Sequence, residues 1–307
     1  MELLRLFEDI RTPFLDVFFS LITNFGAETI FVIVCFIMLW CVNKRDGYYL
    51  LAVSFFGLLI NQFLKITFRI PRPWLRDETF TIVESAREGA VGYSFPSGHS
   101  QIAVGTFGTI ARTTKNITIK IICLLISVLV PLSRMYLGVH TFADVSVSAI
   151  IAVILIYSLR PVVNRAMSKK HGMRRLFAFM SALSFLYLIY MEFYRFPANV
   201  DSQNLYSGID FSYKMFGLVL GAWAGFEIDR KYVRFDTKAI WWAQILKVFL
   251  GLTVVLIIKE GLKAPLEMLC QSDRLSGSIR YMLIALFACG VWPAVFNSCK
   301  KFINNLT

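Results

Sequence analysis

Three short polar segments lie at the ends of strongly apolar stretches and carry side chains that could do chemistry. The first reads KITFRIPRP, the second PSGH and the third SRMYLGVHTFAD. The candidate chemical groups in these segments are three cations, two histidines, one carboxylate, and a serine–glycine pair where a helix is predicted to begin. These residues are Lys65, Arg72, Arg134, His99, His140, Asp144, Ser97 and Gly98.

The cations and the predicted helix start suit a tetrahedral oxyanion. Arginine presents a planar fork of N–H donors that matches phosphate oxygens. The first backbone N–H groups of a helix are unpaired, and the positive end of its dipole favours an anion. A glycine there lets the backbone approach closely. We therefore expect Lys65, Arg72, Ser97, Gly98 and Arg134 to bind the oxygens of a phosphoryl group.

The two histidines have the chemistry of a nucleophile and a general acid. His140 and Asp144 are four residues apart, so on a helix they share a face. Asp144 can then accept one imidazole N–H and leave the other nitrogen bare for attack. Spacing alone does not settle whether His99 or His140 attacks, although Asp144 favours His140. A metal site is disfavoured because the cluster is rich in cations and has one carboxylate.

The elements that position these residues are predicted to be membrane helices. The sequence is 57% hydrophobic, above the roughly 45–50% apolar content of ordinary soluble domains. Spans need roughly 20 mainly apolar residues. We predict an all-α, polytopic membrane protein whose bundle has about nine transmembrane helices. The nine segments are 28–44, 47–68, 97–112, 118–137, 141–159, 174–193, 212–228, 238–258 and 279–298.

Residues 2–25 differ from the nine spans. They alternate charged and apolar side chains, break at Pro13 and continue as a short apolar helix. This pattern predicts an interfacial N-terminal helix that lies along the membrane rather than crossing it.

The formal charge of +12 follows the pattern of membrane topology. Basic residues gather in the connections after the first, third, fifth and seventh spans and at the C-terminus, where Lys300 and Lys301 lie. With nine spans, all five regions face the cytoplasm. We therefore predict an integral membrane protein, in a bacterial plasma membrane, with the three polar segments on the extracytoplasmic face. The basic residues show no nucleic-acid-binding pattern, and no C-x-x-C pair among the six cysteines indicates a disulfide framework or zinc site.

The three segments resemble the three-part signature of the type 2 phosphatidic acid phosphatase family. Six residues separate Lys65 from Arg72-Pro73, and Pro96-Ser97-Gly98-His99 follows. Ser133-Arg134 then has five residues before His140 and three more before Asp144. Acid phosphatases of the same fold and vanadium haloperoxidases share the signature. The resemblance covers roughly residues 2–161, so we expect a phosphatase core at 1–161 and a further four-span region of unknown role at 162–307.

The resemblance implies roles for the catalytic residues. His140 would form a phosphohistidine, His99 would protonate the leaving alkoxide, and Asp144 would orient His140. The five predicted phosphate-binding residues would hold the phosphoryl oxygens. No metal and no other cofactor would be needed. The implied activity is hydrolysis of a phosphate monoester or diphosphate.

A site at a membrane interface favours a lipid phosphate substrate whose tail stays in the bilayer. Candidates are polyprenyl phosphate or pyrophosphate, phosphatidate, phosphatidylglycerol phosphate and sphingoid phosphates. The PRPW region and the N-terminal helix look more like the sphingosine-phosphate-phosphatase-like branch. A soluble phosphoester is an alternative, as is a phosphotransferase that passes the group to an alcohol or lipid acceptor. The intact His99, His140 and Asp144 argue against a binding or transport protein that has lost catalysis. The sequence leaves the oligomeric state open.

Overall fold

The structure, a computed structural model, describes residues 1–198 and 200–298. That part of the chain is helical and contains no strand. Its α-helices are α1 (Glu2–Asp9), α2 (Pro13–Thr23), α3 (Glu28–Ile37), α4 (Lys44–Phe68), α5 (Pro73–Arg76), α6 (Gly98–Thr113), α7 (Ile117–Tyr136), α8 (Phe142–Ser168), α9 (Gly172–Phe193), α10 (Ser202–Ile228), α11 (Trp241–Leu256), α12 (Lys263–Cys270) and α13 (Asp273–Leu286). Cys299, Lys300 and Lys301 lie outside the described residues.

The predicted fold class, a polytopic all-α membrane protein, is confirmed. Within the described residues, six helical segments are long and apolar enough to cross a membrane. They are Lys44–Arg76, Ile117–Tyr136, Phe142–Ser168, Gly172–Phe193, Trp241–Gly261 and Asp273–Ser298. A seventh span results if Pro13–Gly26 and Glu28–Val42, which meet at a bend of 51°, are counted as one.

The predicted spans 97–112 and 212–228 are helical, as α6 and α10, but do not meet the same length and composition test. Helix α6 has only 16 residues, and α10 is long enough but less apolar. Most of α6 is buried, including the polar side chains of Ser100, Gln101, Thr106 and Thr109. A helix surrounded by other helices does not need a lipid-facing apolar surface, which accounts for the polar content of α6.

The predicted N-terminal segment folds as two helices, with a break just before Pro13. The Thr12 hydroxyl accepts a hydrogen bond from Leu15 N at 3.3 Å, and Pro13 occupies the first helical position. Both helices leave a row of apolar side chains exposed, at Leu3, Leu6, Ile10, Phe14, Val17 and Leu21. An exposed apolar row suits contact with lipid. The position of the segment along or across the membrane stays a prediction, because α2 also belongs to the bent pair.

The polar face of α1 contacts the connection between α5 and α6, which leads to the PSGH tetrapeptide. Arg5 Nη2 lies 2.6 Å from Asp77 Oδ2, and Thr81 N donates to Glu8 Oε1 at 2.8 Å. Arg11 Nη1 donates to the carbonyl of Thr81 at 3.0 Å. Helix α1 therefore fixes this connection through charged and backbone groups.

The chain forms two compact units. The first comprises Met1–Cys35, Tyr48–Val162 and Val200–Asn204, and the other described residues form the second. All eight candidate site residues belong to the first unit.

Ion pairs mark both ends of the second unit. Lys44 Nζ lies 2.7 Å from Asp229 Oδ2, and Arg174 Nε lies 2.8 Å from Glu227 Oε1. These pairs bring the start of α4, the start of α9 and the end of α10 to one end. Arg274 pairs with Glu192 at 2.9 Å where α9 ends and α13 begins. The three connections joined at the first end are all predicted to face the cytoplasm.

Helices α10 and α13 approach each other closely within the second unit. A Cβ on Gly217 would lie 2.0 Å from the Ser278 carbonyl oxygen, and one on Gly221 would lie 2.0 Å from that of Met282. Glycine is the residue that permits this backbone contact.

The predicted topology can be tested with single cysteines in a variant whose six native cysteines are replaced. Ser85 and Gln203 lie in segments predicted to face away from the cytoplasm, Lys169 lies in a connection predicted to face the cytoplasm, and all three residues are exposed. We expect cysteines at Ser85 and Gln203 to react with a membrane-impermeant thiol reagent in intact cells. A cysteine at Lys169 should react only after the membrane is opened. The reverse pattern would contradict the topology.

Candidate active site

The PSGH tetrapeptide forms the start of α6 and joins it to α8. Ser97 is the N-cap: its Oγ accepts from Ser100 N at 3.4 Å and from Ser100 Oγ at 2.9 Å. Ser97 N donates to the Asp144 carbonyl at 3.0 Å, and Ser148 Oγ donates to the Ser97 carbonyl at 2.8 Å. A cis peptide bond joins Phe95 to Pro96. The hydrogen bonds of Ser97 to Asp144 and Ser148 fix where the α6 N-terminus points relative to α8.

The space beside the α6 N-terminus is open. A Cβ added to Gly98 would meet no atom within 4 Å. The hydrogen bond from Gln101 N to the Ser97 carbonyl, 3.1 Å, is the first of the helical ladder. The amides of Gly98 and His99 precede it and therefore have no partner within the helix. An anion beside Gly98 would meet these N–H groups and the positive end of the helix dipole.

Arg72 is buried, with 4% of its surface exposed, and backbone oxygens hold its guanidinium. Its Nε donates to the Gly92 carbonyl at 2.9 Å and its Nη2 to the Val91 carbonyl at 2.8 Å. Its Nη1 donates to the Val139 carbonyl at 3.0 Å and also lies 2.9 Å from His140 Nε2. Arg72 thus connects the segment before α6 to the predicted nucleophile.

Lys65 and Arg134 complete the group of three cations. Lys65 Nζ donates to the Tyr93 carbonyl at 2.6 Å. Arg134 is 1% exposed, and its Nη1 donates to Thr23 Oγ1 at 2.9 Å. Among the described residues, Nε and Nη2 of Arg134 have no hydrogen-bond partner. Unpaired buried donors are costly, so the same edge of the guanidinium is well suited to bind an anion.

The geometry around His140 defines its tautomer. Arginine can only donate, so the contact from Arg72 makes His140 Nε2 an acceptor that carries no proton. The other nitrogen, Nδ1, lies 3.5 Å from Asp144 Oδ2, longer than an ordinary hydrogen bond. The same carboxylate oxygen accepts from Thr141 N at 2.7 Å and from Ser94 Oγ at 2.5 Å. Asp144 is thus held facing the imidazole.

The surroundings of His140 keep its imidazole neutral. Burial lowers the pKa of His140 well below its ordinary value, and the positive charges of Arg72, Arg134 and Lys65 and the nearby His99 lower it further. A neutral imidazole has a lone pair available for attack, which the protonated form lacks.

Seven of the eight predicted residues lie at the ends of α4 and α7 and at the starts of α6 and α8, and Arg72 lies directly before α5. His99 is half-buried in the first turn of α6, where its carbonyl oxygen would lie 2.7 Å from a Cβ on Gly26. Sequence reasoning missed Thr23, Ser94 and the backbone carbonyls that bind the cations. Ser94 lies two residues before the PSGH tetrapeptide, but nothing in its type or spacing signals a bond to Asp144. In the described part of the chain, no group of three or more His, Cys, Asp or Glu residues could hold a metal ion.

Comparison with known proteins matches both halves of the chain. Residues 46–168 match the PAP2 superfamily, and residues 213–302 match the PAP2 superfamily phosphatase transmembrane extension. The first match contains all eight candidate site residues.

Three relatives and one solved structure are similar to the chain. Phosphatidylglycerophosphatase B of Bacillus subtilis is 34% identical over 149 residues, which cover 44% of this chain and 69% of that protein. A probable sphingosine-1-phosphate phosphatase of Dictyostelium discoideum is 28% identical, over 48% of this chain and 38% of its own length. A dihydrosphingosine 1-phosphate phosphatase of Schizosaccharomyces pombe is 29% identical, over 47% and 37%. The chain thus spans less than two fifths of the length of the Dictyostelium discoideum and Schizosaccharomyces pombe proteins. The crystal structure of Aquifex aeolicus LpxE aligns with a TM-score of 0.45 and 28% identity, over 52% of this chain and 92% of that one.

The bond from Ser94 to Asp144 gives a stability prediction. Both residues are buried, so Ser94→Ala removes a donor from a carboxylate that water cannot reach easily. Hydrogen bonds to charged groups contribute about 1.5–3 kcal/mol, and we expect a loss of that size in the free energy of unfolding in detergent. Ser85→Ala is the control, because Ser85 is exposed and its hydrogen bond with half-buried Ser20 is exposed. Equal stability of the two variants would show that Ser94 does not stabilise Asp144.

Proposed function

Because the chain belongs to the PAP2 superfamily, we propose that it is a metal-independent phosphatase that removes phosphate from a membrane lipid phosphate through a phosphohistidine. One observation carries the proposal: the unprotonated Nε2 of buried His140 lies 2.9 Å from Arg72, within a cluster of cations suited to an anion. The names of the three relatives all include phosphatase activity on a lipid phosphate, which supports the same substrate class.

The cations and the α6 N-terminus bind the phosphoryl oxygens in this proposal. The unpaired edge of Arg134 and the side chains of Lys65 and Arg72 supply positive charge. A Cβ added to Gly98 would meet no atom within 4 Å, so there is space for an anion beside the helix start. Ser97 contributes as the cap that fixes this helix start, because its own N–H and Oγ are engaged by Asp144 and Ser100. Fixed donors of this kind stabilise charge that develops in the transition state.

The reaction has two steps. His140 Nε2 attacks phosphorus, the bond between phosphorus and the lipid oxygen breaks, and His99 gives its proton to the departing alkoxide. The Nδ1–H of His140 donates a hydrogen bond to the Asp144 carboxylate, which stabilises the positive ring, and this contact tightens from its resting 3.5 Å as charge develops. Water, deprotonated by His99, then attacks the phosphohistidine and releases inorganic phosphate. Both histidines return to their starting state.

The site is proposed to face away from the cytoplasm, at the end of the first unit where α6 and α8 begin. Two observations support this. The charge pattern of the connections favours it, and ion pairs in the second unit join three connections predicted to be cytoplasmic. The relatives come from one bacterium and two eukaryotes, so the bacterial plasma membrane stays a prediction.

Phosphate release from a panel of lipid phosphates tests the function. Purified protein in detergent should release inorganic phosphate from a sphingoid phosphate, phosphatidate, phosphatidylglycerol phosphate or polyprenyl phosphate, and should do so in EDTA. Lys65, Arg72 and Arg134 supply the positive charge that a metal would otherwise provide. Loss of activity in EDTA with recovery in magnesium would contradict the metal-independent mechanism. Transfer to an added alcohol instead of phosphate release would favour the phosphotransferase.

Alanine substitutions of His99 and His140 should impair the reaction in different ways. His140→Ala removes the nucleophile, so no covalent phosphoenzyme should form with any substrate. His99→Ala removes the acid, so its loss, typically about 10²–10⁴-fold for general acid catalysis, should be large for an alkyl phosphate. The loss should be much smaller for an aryl phosphate, whose phenol leaves without protonation.

Asp144→Asn should keep both histidines but disturb the tautomer of His140 and slow attack on all substrates. The histidine roles are reversed if His99→Ala blocks the phosphoenzyme with the aryl phosphate while His140→Ala still accumulates it.

A further inference from the structure

The Arg134 guanidinium has one anchored arm and one unpaired edge. Nη1 donates to Thr23 Oγ1 at 2.9 Å, whereas Nε and Nη2 have no hydrogen-bond partner among the described residues. Nε and Nη2 lie on the same edge of the planar group. That edge is the two-pronged face with which arginine binds two oxygens of one phosphate. The hydrogen bond to Thr23 therefore uses Nη1, which an anion bound by Nε and Nη2 would not need.

Thr23 is itself fixed by the packing of α2 on the end of α7. Tyr136 Oη donates to Asp16 Oδ1 at 2.8 Å, and the ring of Tyr136 lies 4.3 Å from that of Phe19. Asp16 and Phe19 both belong to α2, one or two turns before Thr23. Arg134 lies two residues before Tyr136 in the sequence. The contacts of Tyr136 with α2 therefore place Thr23, the last residue of α2, beside Arg134.

The turn after Thr23 packs on α6 and α7. A Cβ on Gly26 would lie 2.7 Å from the His99 carbonyl oxygen and 2.9 Å from a Val130 methyl carbon. The chain therefore passes closely over the start of α6 and the middle of α7. Thr23 is held from both sides and is 8% exposed.

We propose that Thr23 is a positioning residue that orients Arg134 for phosphate, a role that rests on the proposed function. Its hydroxyl fixes the rotation of the guanidinium, so that the Nε–Nη2 edge faces the anion. Thr23 lies outside residues 46–168, the segment that matches the family, so the chain before that segment completes the phosphate site. It acts through Arg134 and does not itself take part in the reaction.

Three variants isolate the hydroxyl. Thr23→Val keeps the shape of the side chain and removes the hydroxyl, and Thr23→Ser keeps the hydroxyl. Ser20→Ala is the matched control, because Ser20 lies on the same helix and its hydrogen bond with Ser85 is exposed. Each is compared with wild type for kcat/KM on a lipid phosphate and for the affinity of inorganic phosphate. Phosphate affinity is measured from the rise in melting temperature that phosphate produces.

Thr23→Val should lose about 10- to 100-fold in kcat/KM and in phosphate affinity, the range for a hydrogen bond to a charged group. Thr23→Ser and Ser20→Ala should stay within about threefold of wild type. A merely structural role would lower the melting temperature of Thr23→Val without changing phosphate affinity, and that result would overturn the proposal. Thr23→Ser as defective as Thr23→Val would also overturn it.

The phosphate measurement separates this inference from the proposed function. A wild-type protein that binds phosphate but hydrolyses none of the lipid phosphates contradicts the function, and weakened phosphate binding in Thr23→Val still supports the role of Thr23. Active wild-type protein with unchanged Thr23→Val contradicts only the role of Thr23. Wild-type protein that neither binds nor hydrolyses phosphate overturns both.

Discussion

The mutual repulsion of three clustered cations, of which Arg72 and Arg134 are buried and Lys65 is half-buried, is the constraint on which the rest of the first unit depends. Lys65, Arg72 and Arg134 all lie close enough to His140 to lower its pKa, and the predicted site has one carboxylate, Asp144, so the positive charges of the site outnumber the negative ones. Two like charges about 8 Å apart repel by roughly 2 kcal/mol at an effective dielectric constant of 20. Backbone oxygens offset part of this cost, since the carbonyls of Val91, Gly92, Tyr93 and Val139 accept from Lys65 or Arg72. The net positive charge that remains would attract a phosphate.

Carbonyls can hold cations only if the segment that carries them is itself fixed. Gly92 has φ +79°, a conformation that glycine adopts without strain, and its carbonyl accepts from Arg72 Nε. Asp201 N donates to Tyr93 Oη at 3.3 Å, so the start of α10 supports this segment. Helix α1 holds the earlier part of the same connection through Asp77 and Thr81. Helix α1 and the residue before α10 thus support the cation site, although neither is a predicted part of that site.

The candidate site residues can be proposed from the sequence, whereas the residues that support them cannot, for a physical reason. The i,i+4 spacing of His140 and Asp144 and the short distance from Lys65 to Arg72 are local, so they can be inferred from periodicity. Ser94 bonds to Asp144 across 50 positions and Thr23 to Arg134 across 111, and no local pattern encodes such contacts. Six or seven described segments have the length and composition of a span, fewer than the nine predicted, for a related reason. Packing against other helices, which one sequence does not show, determines how apolar α6 must be.

Arg72 connects anion binding to the reactivity of His140. Its Nη1 donates to the lone pair of His140 Nε2, the same lone pair that must attack phosphorus in the proposed reaction. The nucleophile is therefore engaged until Nη1 turns to another acceptor. A phosphate oxygen is a stronger acceptor than a neutral imidazole, because the hydrogen bond is then charged on both sides. The Nε and Nη2 atoms can keep their bonds to Gly92 and Val91 during this exchange. The arrival of the anion and the release of the His140 lone pair thus become one event, which confines the reactive form of the imidazole to the occupied site.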